Sequence, residues 1–130
     1  MFGPNLGIIS DVGSSWFVPN LIGRARANGM GLLGDDISSQ QAKDWGLIWD
    51  AVSDEELLSK SIEIAERLAN GPIEGLKAIV KAHDNALSVS LNDQLDYERD
   101  TQEILLDKKE FKEGVSAFIG KRKPNFRDLS

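Results

Sequence analysis

The sequence contains no cysteine, which excludes disulfides and thiolate metal sites alike. A single histidine, His83, leaves little for an imidazole cluster, and no group of residues has metal-ligand spacing, so no metal is expected. No apolar run approaches the ~20 residues of a membrane span. The first residues, Met1 to Gly7, also lack the basic region and longer apolar core of a signal peptide. Positive charge is in deficit: 15 Lys and Arg stand against 21 Asp and Glu, a net charge of −6. That sign is wrong for a general polyanion binder, so neither nucleic acid nor a membrane is an expected partner. The reading is a soluble chain that fits a reducing cytoplasm.

What is present is enough, at 130 residues and 41% hydrophobic content, for one compact domain. No repeat, low-complexity stretch or Pro/Ser-rich linker divides it. The apolar run 5–10, between Pro4 and the turn cluster Asp11-Val-Gly, reads as a strand end or buried extended segment. A helix can start at Ser14, and Pro19 can begin another, because proline in a first turn sacrifices no needed N–H. Leu21 to Leu33 suit a close-packed helix, weakened by Gly29 and Gly31. Ser38 with Gln41 fits a capping box for a short helix that Gly46 ends, and 47–52 is a candidate strand or extended connector.

The clearest helix begins at Ser53. Leu57, Leu58, Ile62, Ala65, Leu68 and Ala69 give it an apolar face, and Gly71-Pro72 stops it. Further helices are expected from Ile73 to Leu87, from Ser90 toward Leu106, and from Lys109 to Gly120 before Pro124. The fold class is therefore mainly α with one or two short strands. Such a meagre strand content does not make a self-sufficient sheet.

Taken on their own terms, the chemically interesting residues all have plain readings. Asp11, between an apolar run and a helix start, reads as an N-cap or turn aspartate. Trp16, Phe17, Trp45 and Trp49 read as core packing, although they could line an aromatic pocket. Lys121, Arg122, Lys123 and Arg127 read as a solvated helix end that complements the dipole. Asp96, Glu98, Arg99 and Asp100 read as a solvated helix face, and His83 as a surface histidine.

The order of several motifs says more. Leu6-Gly-Ile-Ile-Ser-Asp-Val-Gly-Ser-Ser-Trp16 is followed by Val18-Pro19, Ile22-Gly23, Leu33-Gly34-Asp35, Ile37-Ser38 with Gln41-Ala42, and Trp45-Gly46-Leu47. Near the end come Glu113-Gly-Val-Ser-Ala-Phe118 and Lys121-Arg-Lys-Pro-Asn-Phe126. This series resembles the enoyl-CoA hydratase/isomerase (crotonase) superfamily in its C-terminal half. Gly23-Arg-Ala-Arg-Ala, Trp45-Gly-Leu-Ile-Trp49 and Asp93 to Asp100 are most similar to the epoxyphenylacetyl-CoA isomerase branch. Departures are Ser10, where the family usually has proline, and Met1 to Asn5, where the expected lead-in is shortened or replaced.

The resemblance implies the C-terminal helical part of a crotonase-like α/β fold. Residues 1–52 would carry the acyl-pocket turn and its helices, and 53–130 a trimerisation and lid region. The implied substrate is an acyl-CoA thioester, with no separate cofactor, and the implied assembly is a homo-oligomer with trimer-type contacts. Asp11 matches the acidic residue that moves a proton between carbons of the acyl chain in the isomerase branch, a task for a carboxylate beside an apolar pocket. Trp16, about one helical turn on, is the aromatic expected to touch substrate. Phe118 and Lys121 match a Phe and a Lys on the C-terminal helix that closes over bound CoA. Hydration by two glutamates is disfavoured, because the matching position is Gly3 or its neighbour and no glutamate precedes Glu55. The N-terminal half of such enzymes supplies both N–H groups of the oxyanion hole, and no residues here correspond to it. The chain therefore reads as part of an acyl-CoA isomerase, with an oligomerisation and lid module inactive on its own, or an enoyl-CoA hydratase, as the alternatives.

Overall fold

The structure, a computed structural model, describes residues 6–129. Among them the chain forms seven α-helices and a short 3₁₀ turn at Arg127–Leu129, and no strand. Its packing divides it into two compact units, Met1–Glu55 and Glu56–Ser130.

In the first unit, residues 8–11 form neither helix nor strand. Ile8 and Ile9 are exposed, so the expected buried extended segment is absent. A strand is stabilised by neighbouring strands, and the described residues form none. Asn5, Gly3 and the altered lead-in Met1 to Asn5 lie outside the described residues. Helix α1 (Ser14–Ile22) contains Pro19 in its interior, where a separate helix start was expected. The missing Pro19 N–H leaves the Ser15 carbonyl without its usual donor, a cost confined to one turn of a short helix. Gly23, at φ 79 and ψ 155, ends α1 and returns its N–H to the Pro19 carbonyl at 3.0 Å. The helix expected from Leu21 is thereby split, and α2 runs Arg24–Leu33 against α1.

Helix α3 (Ser39–Asp44) starts where Ser38 Oγ accepts the Gln41 N–H at 3.1 Å. It ends at Gly46, with Ala42 buried. Residues 47–52 are a connector and not a strand, tied back by a Lys43–Asp50 ion pair of 2.5 Å.

The second unit holds most of α4 (Asp54–Ala69), together with α5 (Ile73–Ala86), α6 (Leu91–Leu106) and α7 (Lys109–Ile119). The stop at Gly71-Pro72, the helix start just after Ser53 and the cap at Ser90 fall where the residues place them. Ser90 Oγ accepts the Asp93 N–H at 3.3 Å and donates to Asp93 Oδ2 at 2.6 Å. The apolar face of α4 is nevertheless exposed along its length, Leu58 at 72%. Periodicity tells which face wants cover, not what supplies it. Helices α5 and α6 form a hairpin that α7 extends, and the buried hydrophobic residues of the described chain are Ile22, Ala42 and Ala117 alone.

Candidate functional site

Asp11 opens the turn that launches α1. Its carbonyl accepts the Ser14 N–H at 3.0 Å and the Ser14 hydroxyl at 2.5 Å. Val12 follows at φ 52, and Gly13 at φ 79 occupies the N-cap without any side-chain cap. Asp11 is therefore a turn residue through its backbone and not an N-cap. Its carboxylate accepts no hydrogen bond among the described residues. The strain at Val12 is notable, since a β-branched residue rarely adopts positive φ.

The Trp16 N–H bonds the Gly13 carbonyl at 2.9 Å, which seats the indole on the first turn of α1, 57% exposed. Asp11 and Trp16 thus belong to one short turn-and-helix unit. Asp11 is itself exposed, so the described residues do not provide the desolvating pocket expected around it. Phe17 and Trp49 are exposed as well. Trp45 is half-buried: the Arg26 guanidinium lies 5.4 Å from its ring centroid and donates to its carbonyl at 3.4 Å, a packing role.

In the second unit, Phe111, Val115 and Phe118 share one face of α7 at helical spacing. With Leu105, Leu106 and Phe126 they line an apolar hollow of about 400 Å³. Phe118 is 85% exposed at its edge. Lys121 lies just beyond the helix at φ 48, its N–H bonded to the Phe118 carbonyl at 3.2 Å. These two are joined through the backbone of the turn, whereas Asp11 and Trp16 share a turn-and-helix unit without a direct hydrogen bond.

One group in this region has no counterpart among the expected site residues. Arg122, read from sequence as part of a solvated tail, grips Glu113 with both terminal nitrogens, Nη1 to Oε1 at 2.6 Å and Nη2 to Oε2 at 2.8 Å. The Asn125 N–H adds a third bond to Oε1 at 2.7 Å. These donors, Arg122 first, hold the Glu113 carboxyl at about 2, below its ordinary 4.5. The clasp turns the tail back on α7 and brings the Phe126 ring beside Gly114. The visible sequence signal was an acid on α7 and a base just past its end, linked only if the chain reverses at Gly120.

Elsewhere the plain readings hold. Arg99 pairs with Asp96 at 2.6 Å and Asp100 at 2.7 Å on an exposed face of α6, and His83 is exposed on α5. No described helix is long and apolar enough to cross a membrane.

Solved structures share this arrangement of helices. An enoyl-CoA hydratase from Polaromonas sp. JS666 superimposes with a TM-score of 0.89 at 34% identity, over 98% of this chain and 49% of that one. An enoyl-CoA hydratase from Bacillus anthracis does so with a TM-score of 0.86 at 36% identity, over 95% and 48%. The helices therefore define the C-terminal part of a crotonase-type fold. The enoyl-CoA hydratase/isomerase family profile matches residues 2–129, and the chain belongs to that family. It is 45% identical to the 1,2-epoxyphenylacetyl-CoA isomerase of Escherichia coli K12 over 121 residues, 93% of this chain and 46% of that protein. It is 39% identical to a probable enoyl-CoA hydratase of Rhodobacter capsulatus, over 93% and 47%. The chain spans about half the length of these relatives.

Proposed function

We propose that these residues belong to an acyl-CoA isomerase in which Asp11 carries the proton. The observation behind this reading is that the Asp11 backbone builds the α1 turn while its carboxylate accepts no hydrogen bond among the described residues. A carboxylate spent on capping could not exchange a proton with substrate. In the proposed reaction Asp11 removes a proton from a carbon beside the unsaturated system of the thioester. The electron pair shifts toward the carbonyl as an enolate, and the same carboxyl returns the proton at another carbon, ending ionised as it began. Stabilising the enolate falls to backbone N–H groups in the half of the fold that these residues do not span. Trp16 would border the acyl group, with Phe118 against the CoA moiety and the Lys121 ammonium near a phosphate. The absence of a hydrogen bond to the Asp11 carboxylate among the described residues and the identity to an isomerase favour this over a hydratase.

The test is Asp11→Asn in a protein carrying both halves of the fold. Asn keeps the volume and cannot carry the proton, so double-bond isomerisation should vanish while CoA-ester binding stays within a few-fold. Turnover equal to the parent's would remove Asp11 from the mechanism. The large exposed apolar surface favours a second reading, an association and lid module; that reading gains if the two-half protein binds CoA esters and does not turn them over.

A further inference from the structure

Two helices of this chain end in the same turn. At the end of α3, the Leu47 N–H reaches the Ala42 carbonyl at 2.9 Å and the Gly46 N–H reaches Lys43 at 2.9 Å. At the end of α7, the Arg122 N–H reaches Ala117 at 3.0 Å and the Lys121 N–H reaches Phe118 at 3.2 Å. Both are Schellman turns, whose left-handed position is ordinarily filled by glycine. Gly46 fills it in the first at φ 79, and Lys121 fills it in the second at φ 48. A lysine here carries backbone strain that glycine does not.

Strained residues persist only where their surroundings over-determine them. Lys121 has such surroundings on both sides. The Gly120 N–H is bound to Ser116 at 2.9 Å. Arg122 is fixed by its own N–H, by both Glu113 oxygens and by Ser116 Oγ at 3.3 Å. All these bonds hold the backbone of the turn. The Lys121 ammonium makes none among the described residues, so the side chain is held out, exposed and unspent.

We propose that Glu113 is a positioning residue for Lys121: through Arg122 it holds the turn after α7 in its left-handed form, presenting an ordered ammonium to a phosphate of the CoA moiety. Ordering the cation before the ligand arrives lowers the entropy lost on binding. The proposal rests on the reading of Lys121 as a CoA contact.

The experiment is a double-mutant cycle in the full-length protein with both halves, using Lys121→Gly, Glu113→Gln and the pair, with binding of CoA and dephospho-CoA measured by calorimetry. Lys121→Gly should weaken CoA about fivefold, the effect of one exposed charge-assisted contact, while thermal stability holds or rises. Glu113→Gln alone should weaken CoA by a similar factor, and should add nothing once Lys121 is glycine. Exchanging the partners, Glu113→Arg with Arg122→Glu, should restore part of the loss. Equal losses from Glu113→Gln in both backgrounds would overturn the positioning role and leave Lys121 as a contact. No change from Lys121→Gly would overturn the contact itself, and the proposal with it.

Discussion

The side-chain amide of Asn85 donates to Gln94 Oε1 at 2.9 Å, and Gln94 passes its own amide hydrogen to the Ala82 carbonyl at 3.2 Å. Gln94 is the buried polar side chain of the described structure, and this pair ties the α5–α6 hairpin. Replacing Gln94 by alanine leaves the partly buried Asn85 amide without this acceptor and takes from the Ala82 carbonyl the bond it accepts beyond its helix. The expected loss is about 1–2 kcal/mol, read as a lower urea midpoint. Removing Asn85 as well should cost less than the two single losses together, because each single variant already strands the other's partner. An unchanged midpoint in Gln94→Ala would mean that water replaces the bond at no cost.

The Glu113 clasp predicts a pH dependence with a definite sign. The folded pKa, about 2, lies below the ordinary 4.5 because Arg122 and the Asn125 N–H bind the ionised form. Stabilisation from the clasp is therefore complete above about 4.5 and is lost as pH falls toward about 2. Arg122 stays charged throughout, so the carboxyl alone titrates. The Asn125 amide resonance, which reports the bond directly, should move with a midpoint near 2 and stand still in Glu113→Gln. A midpoint near 4.5 would show that the clasp does not persist in solution.

Val12 carries a β-branched side chain at φ 52 while 94% exposed, so its contacts do not repay its strain. Asparagine tolerates the left-handed region far better than valine. Val12→Asn should therefore stabilise the first unit by about 0.5–1 kcal/mol, seen as a higher thermal midpoint. Gly13→Ala should do the reverse, since Gly13 sits at φ 79 and an added Cβ would come within 2.9 Å of the Phe17 ring. If Val12→Asn lowers the midpoint, the turn at Asp11 is not strained in the way its backbone angle implies.

These elements differ in how openly the sequence declares them. Caps and stops were legible, because Ser38 with Gln41 and Gly71 with Pro72 act within a few residues of themselves. The Asp11–Trp16 neighbourhood was legible for the same reason, although which atoms of Asp11 build the turn was not. The left-handed backbone of Lys121 was hidden: such turns are read from glycine, and here a lysine stands in that place. The Glu113–Arg122 pair was hidden too, since nine intervening residues meet only after the chain reverses. Of the two alternatives for 47–52 the connector holds, and residues 8–10 form no strand, Ile8 and Ile9 being exposed, because apolar runs carry no information about whether a neighbouring strand exists.

The last prediction concerns the 130-residue chain by itself. It exposes 10424 Å² of surface, whereas two separate well-packed units of these sizes would expose about 8,000 Å². Large apolar side chains contribute to it: Leu58 and Ile62 on α4, Trp16 and Leu21 on α1, and Phe118 and Ile119 on α7 are all uncovered. Patches of this kind on a soluble protein are covered by partner surface or by association. Net charge of −6 opposes association only weakly at physiological ionic strength, where screening sets in within about 8 Å. The chain alone should therefore self-associate at micromolar concentration, as judged by light scattering, and more so as temperature rises from the cold, where apolar burial weakens. Leu58→Lys, which places a charge on the exposed face of α4 without touching a buried group, should lower the apparent mass. A monodisperse monomer in the parent chain would show that these side chains find cover within the chain in solution.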